Sequence, residues 1–245
     1  MPPGGINLSD NMTNIPRSGT PFHLGVLTLG QTPRDDVTPT LQALLGRSTR
    51  ILERGGLDGL DREGLAAVSA RPGEPPLETR LRSGQAIGLC REAILPRLAA
   101  AAADLGHQCD QVLLLCSGEF PALAAACPRL IQPIRILRGA VAALASHRTL
   151  GVIGPEADLE EAPAQWQPYA GRVICAAASP YGALAAMAAA GRNLAGRGAD
   201  LILMDDMGFS ERHRRATARA AGIPVLCATT LTARVLRELV ETGRN

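Results

Sequence analysis

The sequence predicts an α/β protein with a mostly parallel sheet in each of two similar halves. Three observations lead there. Short apolar runs recur and each ends in turn chemistry, the pattern of strands buried on both faces. Helical stretches alternate with these runs, which is the order of a parallel sheet. The opening Leu24-Gly25-Val26 returns as Leu150-Gly151-Val152. A length of 245 residues suits one large domain or two small ones. Hydrophobic residues make up 46% but aromatic ones only 2%, so alanine and aliphatic side chains must fill the core.

Residues 1–20, rich in Pro, Gly, Asn and Ser, read as a flexible tail. The first strand is Leu24–Leu29, closed by Gly30-Gln31-Thr32-Pro33-Arg34-Asp35-Asp36. A Gly, a hydroxyl and a Pro between strand and helix suit an anion-binding corner, to which Arg34 adds a fork-shaped donor. They equally suit an ordinary βα turn with a capped helix. Residues 37–46 read as a helix, Arg50–Glu53 as a strand and Gly55–Leu60 as a turn, before a short helix opened by Asp61-Arg62-Glu63. Leu77–Leu81 and Ala86–Leu89 flank Arg82-Ser83-Gly84-Gln85, a β-hairpin signal. A helix over Arg91–Leu105 leads to the buried strand Gln111–Cys116, followed by a helix near Ala122–Cys127.

Pro128 and Pro133 break the chain; the apolar segment Ile134–Leu137 and an Ala-rich helix to about Ser146 follow. The division is drawn here: a first lobe over 21–130, completed by the C-terminal helix 229–245, and a second over 131–228. The second half runs Leu150–Pro155, Arg172–Ala177, the turn Ser179-Pro180-Tyr181-Gly182, a helix, Leu201–Asp205, a helix at about 210–221, Val225–Ala228 and an amphipathic helix over Thr230–Glu241.

Ligands of open α/β sheets gather at the carboxyl ends of the strands, so the chemistry is sought there. Gln111–Phe120 ends in Cys116-Ser117-Gly118-Glu119-Phe120, and Asp200–Phe209 ends in Asp205-Asp206-Met207-Gly208-Phe209. Each ending carries one of only three Phe residues, which suggests one site shared by two halves. Cys116 has the placement of a thiol activated by a helix N-terminus, though a small buried hydrophobe is the commoner fate of a free Cys. The pair Asp205 and Asp206 offers a general base if burial or a neighbouring charge raises one pKa. The blander reading has Asp205 capping the turn and Asp206 in solvent. His213 is an auxiliary candidate, or a solvated residue on a helix capped by Ser210. Ser179 and Tyr181 could hold a carboxylate opposite Cys116, or simply start a helix. Trp166 and Tyr169 read as packing.

Composition excludes several classes. All 25 basic residues are Arg, which removes a P-loop lysine, Schiff-base chemistry and lysine-held pyridoxal phosphate. There is no GxGxxG, and no cofactor is expected. A net charge of +2 with dispersed Arg gives no nucleic-acid footprint. The six Cys have no CxxC and no zinc spacing, so reduced thiols in the cytoplasm and no metal site are expected. No apolar run reaches the roughly 18–20 residues of a membrane span.

The motifs around Leu27–Asp36, Gly56–Leu60, Thr79–Gly84, Cys116–Phe120, Arg135–Leu137, Gly151–Pro155 and Asp205–Phe209, in this order, resemble the AroM family from about residue 22 onward. Through it the chain resembles the aspartate/glutamate racemase superfamily of hydantoin racemases, maleate isomerase and arylmalonate decarboxylase. The resemblance implies two Rossmann-like three-layer lobes related by a pseudo-twofold, with a cofactor-free site between them. Two facing groups, typically Cys, would move a proton on an acidic carbon, and a homodimer is expected. Cys116 matches the first thiol position; the second falls on Asp206.

The leading reading is therefore an isomerase, racemase or decarboxylase for a small carboxylate, with Cys116 and Asp206 catalytic. Gln31, Thr32, Arg34, Ser117, Gly118, Ser179, Tyr181 and Gly208 would hold the anion. The alternative is a non-catalytic carboxylate binder or sensor that has lost the second thiol.

Overall fold

The computed structural model describes residues 21–242, so the stretch 1–20 read as a tail lies outside the described residues. The first lobe runs β1 (Phe22–Thr28), α1 (Thr38–Leu45), β2 (Thr49–Gly55), α2 (Arg62–Val68), β3 (Leu77–Arg80), β4 (Ala86–Leu89), α3 (Arg91–Gln108), β5 (Gln111–Leu115), α4 (Pro121–Ala126) and β6 (Leu130–Ile131). After α5 (Pro133–Ala145) the second lobe runs β7 (Thr149–Gly154), α6 (Ala162–Trp166), β8 (Arg172–Ala177), α7 (Leu184–Gly196), β9 (Leu201–Met204), α8 (Glu211–Ala221) and β10 (Val225–Cys227), and α9 (Ala228–Thr242) follows.

Both large sheets are parallel and share one topology. The orders β2-β1-β5-β6 and β8-β7-β9-β10 each place strands as second, first, third, fourth along the chain. This order reverses its winding between the first and third strands. In the first lobe α1 follows β1 on the inner face, whereas α4 follows β5 on the outer face. In the second, α6 lies inside and α8 outside. Loops that leave neighbouring strands in opposite directions open a crevice at their carboxyl ends. The register pairs Thr28 with Leu115 and Ile153 with Met204, so these residues mark the two crevices.

One apolar core joins the lobes. Leu24, Val26 and Leu113 of the first sheet and Leu150, Val152 and Leu203 of the second belong to a single buried cluster with α5 and α9. Separate clusters lie under the outer helices of each lobe. α9 packs on α1 and α5. Ile134–Leu137 is the first part of α5 rather than a separate segment: Pro133 occupies its first turn, and Ile134, Leu137, Val141 and Ala145 share its buried face. The edge strand before it is the two-residue β6.

The antiparallel β3–β4 hairpin folds over the loop that follows β1. Gln31 N–H donates to the Arg80 carbonyl at 3.2 Å, and the Arg82 guanidinium donates to the Thr32 carbonyl at 2.8 and 2.5 Å. Only Gly permits this approach, since a Cβ on Gly30 would lie 2.3 Å from the Arg80 carbonyl oxygen. Among the described residues, no helix is long and apolar enough to cross a membrane.

Candidate active site

β5 ends one residue before Cys116 and β9 two residues before Asp206, and the two tips close in the same way. Gly118 N–H donates to Cys116 Sγ at 3.3 Å, and Gly208 N–H donates to Asp206 Oδ1 at 2.5 Å. In both, a side chain accepts from the backbone two residues on, a local turn that fixes its direction. Phe120 and Phe209 anchor the loops, each essentially fully buried. Cys116 and Asp206 are both half-buried.

The electrostatics differ between the tips. Burial pushes the Cys116 thiol up to about 11; the Gly118 N–H opposes this, the charge on Asp206 adds to it, and Arg91 opposes it. The expected activation by a helix N-terminus does not appear, because α4 begins at Pro121 and is six residues long. Burial lifts Asp206 to about 6 against the Gly208 N–H, with Asp158 adding and Arg34 opposing. Near neutral pH this leaves a protonated thiol in one lobe and a mostly ionised carboxylate in the other, within reach of each other's field.

Asp205 is not the turn cap; that role falls to Asp206. Asp205 is buried, with Oδ2 accepting from Trp166 Nε1 at 2.7 Å and Gln165 Nε2 at 3.2 Å, while Oδ1 has no partner. Burial drives it to about 7 despite the Trp166 bond, and the Asp206 charge adds to the rise. Trp166 thus does more than pack.

The anion-corner residues divide into two groups. Thr32 gives its N–H and hydroxyl to Asp58, each at 2.8 Å, and Gln31 Oε1 accepts the Arg82 N–H, so these side chains brace the loop. Arg34 is buried and engaged. Its Nε and Nη2 fork onto Asp36 at 2.8 Å each, and Nη1 donates to Thr28 Oγ1 at 2.7 Å. Tyr181 reaches across from the second lobe: its hydroxyl donates to Asp36 Oδ2 at 3.0 Å, and its ring lies under the Arg80 guanidinium, 3.2 Å from the ring centroid. Burial would raise Asp36, but the Arg34 fork and the Tyr181 hydroxyl hold it below the usual carboxylate range. The Tyr181 hydroxyl and Asp206 Oδ1 both lie about a Cβ contact from Gly208, at 3.1 and 2.9 Å from where that Cβ would be.

Ser117 is half-buried between Cys116 and Gly118. Ser179 accepts the Tyr181 N–H at 3.3 Å and shapes that turn, while Ala183 occupies the N-cap of α7. His213 is committed elsewhere: its Nδ1 accepts from the Ser210 N–H at 3.1 Å, closing a capping box on α8, and it is half-buried rather than solvated. Asp36 and Arg80 lie in motifs the sequence shows but have no role assigned by them, and no local motif distinguishes Arg91 and Asp158 from surface charge. All six Cys are free, and no group of three or more His, Cys, Asp or Glu among the described residues could hold a metal ion. Two surface hollows of about 380 and 360 Å³ lie at the β2 edge, away from the strand tips.

The fold is similar to that of solved enzymes. A structure of arylmalonate decarboxylase superposes with a TM-score of 0.59 at 15% identity, covering 88% of this chain and 92% of that one. Glutamate racemase from Francisella tularensis subsp. tularensis SCHU S4, in complex with D-glutamate, gives 0.55 at 12%, covering 92% and 83%. Allantoin racemase from Pseudomonas fluorescens gives 0.51 at 15%, covering 91% and 92%. At these identities the likeness establishes the fold. No curated protein matches the sequence. The family model described as AroM protein matches residues 24–240, nearly the whole of the described chain, and the chain therefore belongs to the AroM family, with a fold similar to those of arylmalonate decarboxylase and glutamate racemase.

Proposed function

We propose that the chain is a cofactor-independent enzyme of the isomerase, racemase or decarboxylase type that moves a proton on a small carboxylate between the lobes. The observation that carries this reading is the matched pair of strand tips, one bearing Cys116 and the other Asp206, closed by the same glycine turn. The acids named for the similar structures, arylmalonate and D-glutamate, are small carboxylic acids, which supports the substrate class.

The protonation states set the roles. Asp206, at about 6, is the base near neutral pH, and the Cys116 thiol, at about 11, is the proton donor. Asp206 takes the Cα proton, and its C–H electron pair passes into an enediolate formed with the substrate carboxylate. Cys116 Sγ–H then gives its proton to the opposite face of that carbon. The resulting thiolate and carboxylic acid return to their resting states by passing one proton from Asp206 to Cys116, directly or through water. This is downhill because the thiol is the weaker acid. In a decarboxylation, loss of CO2 leaves the electron pair in the enediolate, Cys116 Sγ–H protonates its carbon, and the thiolate takes its proton back from water. Arg34 and Tyr181 stand beside Asp206 as donors for the substrate carboxylate.

The test follows deuterium from solvent into Cα across a panel of amino, hydroxy and dicarboxylic acids. Exchange is expected in wild type. It should disappear in Asp206→Asn and persist with retained configuration in Cys116→Ala, since the base alone can return a deuteron to its own face. Phenylmalonate turnover, if present, should vanish in Cys116→Ala. Absence of both reactions would remove the enzymatic reading. A carboxylate-dependent thermal shift surviving in Cys116→Ala would then favour a binding protein, as the carboxylate at the second tip allows.

A further inference from the structure

Arg34 is buried, and Asp36 is its only ion-pair partner among the described residues. The two side chains differ in exposure: 10% for Arg34 and 31% for Asp36. The guanidinium is thus the fixed member, anchored by Thr28 at the end of β1, and the carboxylate is the member with a route to solvent. Asp36 also lies only two residues from Arg34, on the loop before α1, so its departure need not dismantle an element. Other side chains give its carboxylate three hydrogen bonds: two from the Arg34 fork and one from the Tyr181 hydroxyl of the opposite lobe. Planar, two-pronged recognition by Arg is the geometry that suits any carboxylate, whether on a side chain or a ligand.

We propose that Asp36 occupies the ligand's carboxylate seat, and that a substrate binds by displacing it from Arg34 and Tyr181. The proposal rests on reading the cleft as a carboxylate site and adds which donors form the seat and what fills it at rest. The incoming carboxylate inherits the Arg34 fork and the Tyr181 hydroxyl, in place before it arrives. That position lies beside Asp206, whose turn glycine is close to the Tyr181 hydroxyl. Asp36, swung outward, keeps its charge in water, so no carboxylate is left unpaired in the protein. An intrachain occupant competes at the high effective concentration of a short tether, so the apparent affinity for an added carboxylate is lowered by the fraction of time the seat is filled. The Arg80–Tyr181 stack then links occupancy of the seat to the β3–β4 hairpin.

The experiment uses acetate as the probe, with the full chain at pH 7.5 and sodium chloride at matched ionic strength as control. Asp36→Ala empties the seat. Acetate is expected to raise its melting temperature by several °C over chloride, with an apparent Kd at least tenfold lower than for wild type. The double variant Arg34→Gln/Asp36→Ala should show no difference between acetate and chloride. No acetate-specific rise in Asp36→Ala, or an equal rise in the double variant, would overturn the proposal. Should Asp36→Ala not fold, Asp36→Asn keeps the shape and removes the charge; tighter acetate binding than wild type supports the seat, and equal or weaker binding overturns it. Acetate has no exchange-competent stereocentre and is read only by binding, so this result is independent of the Cα-exchange test. Exchange without acetate binding rejects the seat alone, and acetate binding without exchange rejects the reaction alone.

Discussion

Trp166 Nε1 donates to Asp205 Oδ2 at 2.7 Å, tying α6 to the tip of β9. This places a carboxylate in the core with its second oxygen unpartnered, and burial raises its pKa to about 7. A folded-state pKa above the unfolded value of about 3.9 means that the native state holds the proton more tightly. Its stabilising effect is complete below about pH 4 and is lost as pH rises through about 7. Asp205→Asn keeps an acceptor for Trp166 and never ionises. It is expected to melt several °C above wild type at pH 8, on the order of 2–4 kcal/mol, with the gap closing by pH 4–5. A variant less stable than wild type at pH 8 would contradict this account; melting curves at the two pH values decide it.

How much of this was legible in the sequence follows from burial. Gln111–Cys116 and Leu201–Asp205 could be read because a strand covered on both faces has to be apolar throughout, so the polar residue at its end stands out. The hairpin was legible from its turn. The sequence does not by itself join Ile134–Leu137 to α5, because Pro133 signals a break and a helix start equally well. Cys116 and Asp206 could be found from strand position; their protonation states could not, since burial and charges from distant elements set them. Asp36, besides its local pair with Arg34, and Arg80 both meet Tyr181, a partner 145 residues from Asp36 along the chain.

The two tip residues predict a pH profile. Cα exchange requires an ionised Asp206, and its faster part in wild type also requires a protonated Cys116 to deliver to the opposite face. The rate in wild type should rise about tenfold per pH unit below about 6, level off, and fall again towards about 11. In Cys116→Ala the alkaline limb should vanish while the acid limb stays. An acid limb carried instead near pH 4 would mean that Asp206 is not the base. Initial rates of deuterium uptake across buffers of constant ionic strength measure both limbs.

The matched glycines should not tolerate Ala equally. A Cβ on Gly208 would lie 2.9 Å from Asp206 Oδ1, 3.0 Å from Pro180 and 3.1 Å from the Tyr181 hydroxyl, whereas on Gly118 the nearest atoms are the Phe120 ring at 3.3 Å and Cys116 Sγ at 3.4 Å. Gly208→Ala must therefore push the proposed base or Tyr181 out of place, and Gly118→Ala meets only close packing. Expected is a loss of exchange activity of about 100-fold in Gly208→Ala, since small misplacements are costly in positioning, and a loss below about tenfold in Gly118→Ala. Equal effects on kcat in the two variants would remove the distinction.

Gly30→Ala should separate hairpin docking from the sheets. The new Cβ would lie 2.3 Å from the Arg80 carbonyl oxygen and 2.7 Å from Thr79 Oγ1. The nearer atom is backbone, so no side-chain rotation relieves the contact and β3 must lift. Lifting it breaks the Gln31–Arg80 hydrogen bond and draws the Arg80 guanidinium away from the Tyr181 ring. A cost of roughly 2–4 kcal/mol is expected in urea unfolding, typical of overpacking joined to a lost, partly buried hydrogen bond. Gly84→Ala is the control: it sits at φ +85 in the hairpin turn with only Arg80 Nη1 nearby, at 3.8 Å, and should cost about 1 kcal/mol through backbone strain alone. Hydrogen exchange supplies the local readout. Amides of residues 77–89 should lose protection in Gly30→Ala while those of β5 and β9 keep theirs, and a uniform loss across all strands would show that the hairpin is part of the cooperative core rather than a cover laid over it.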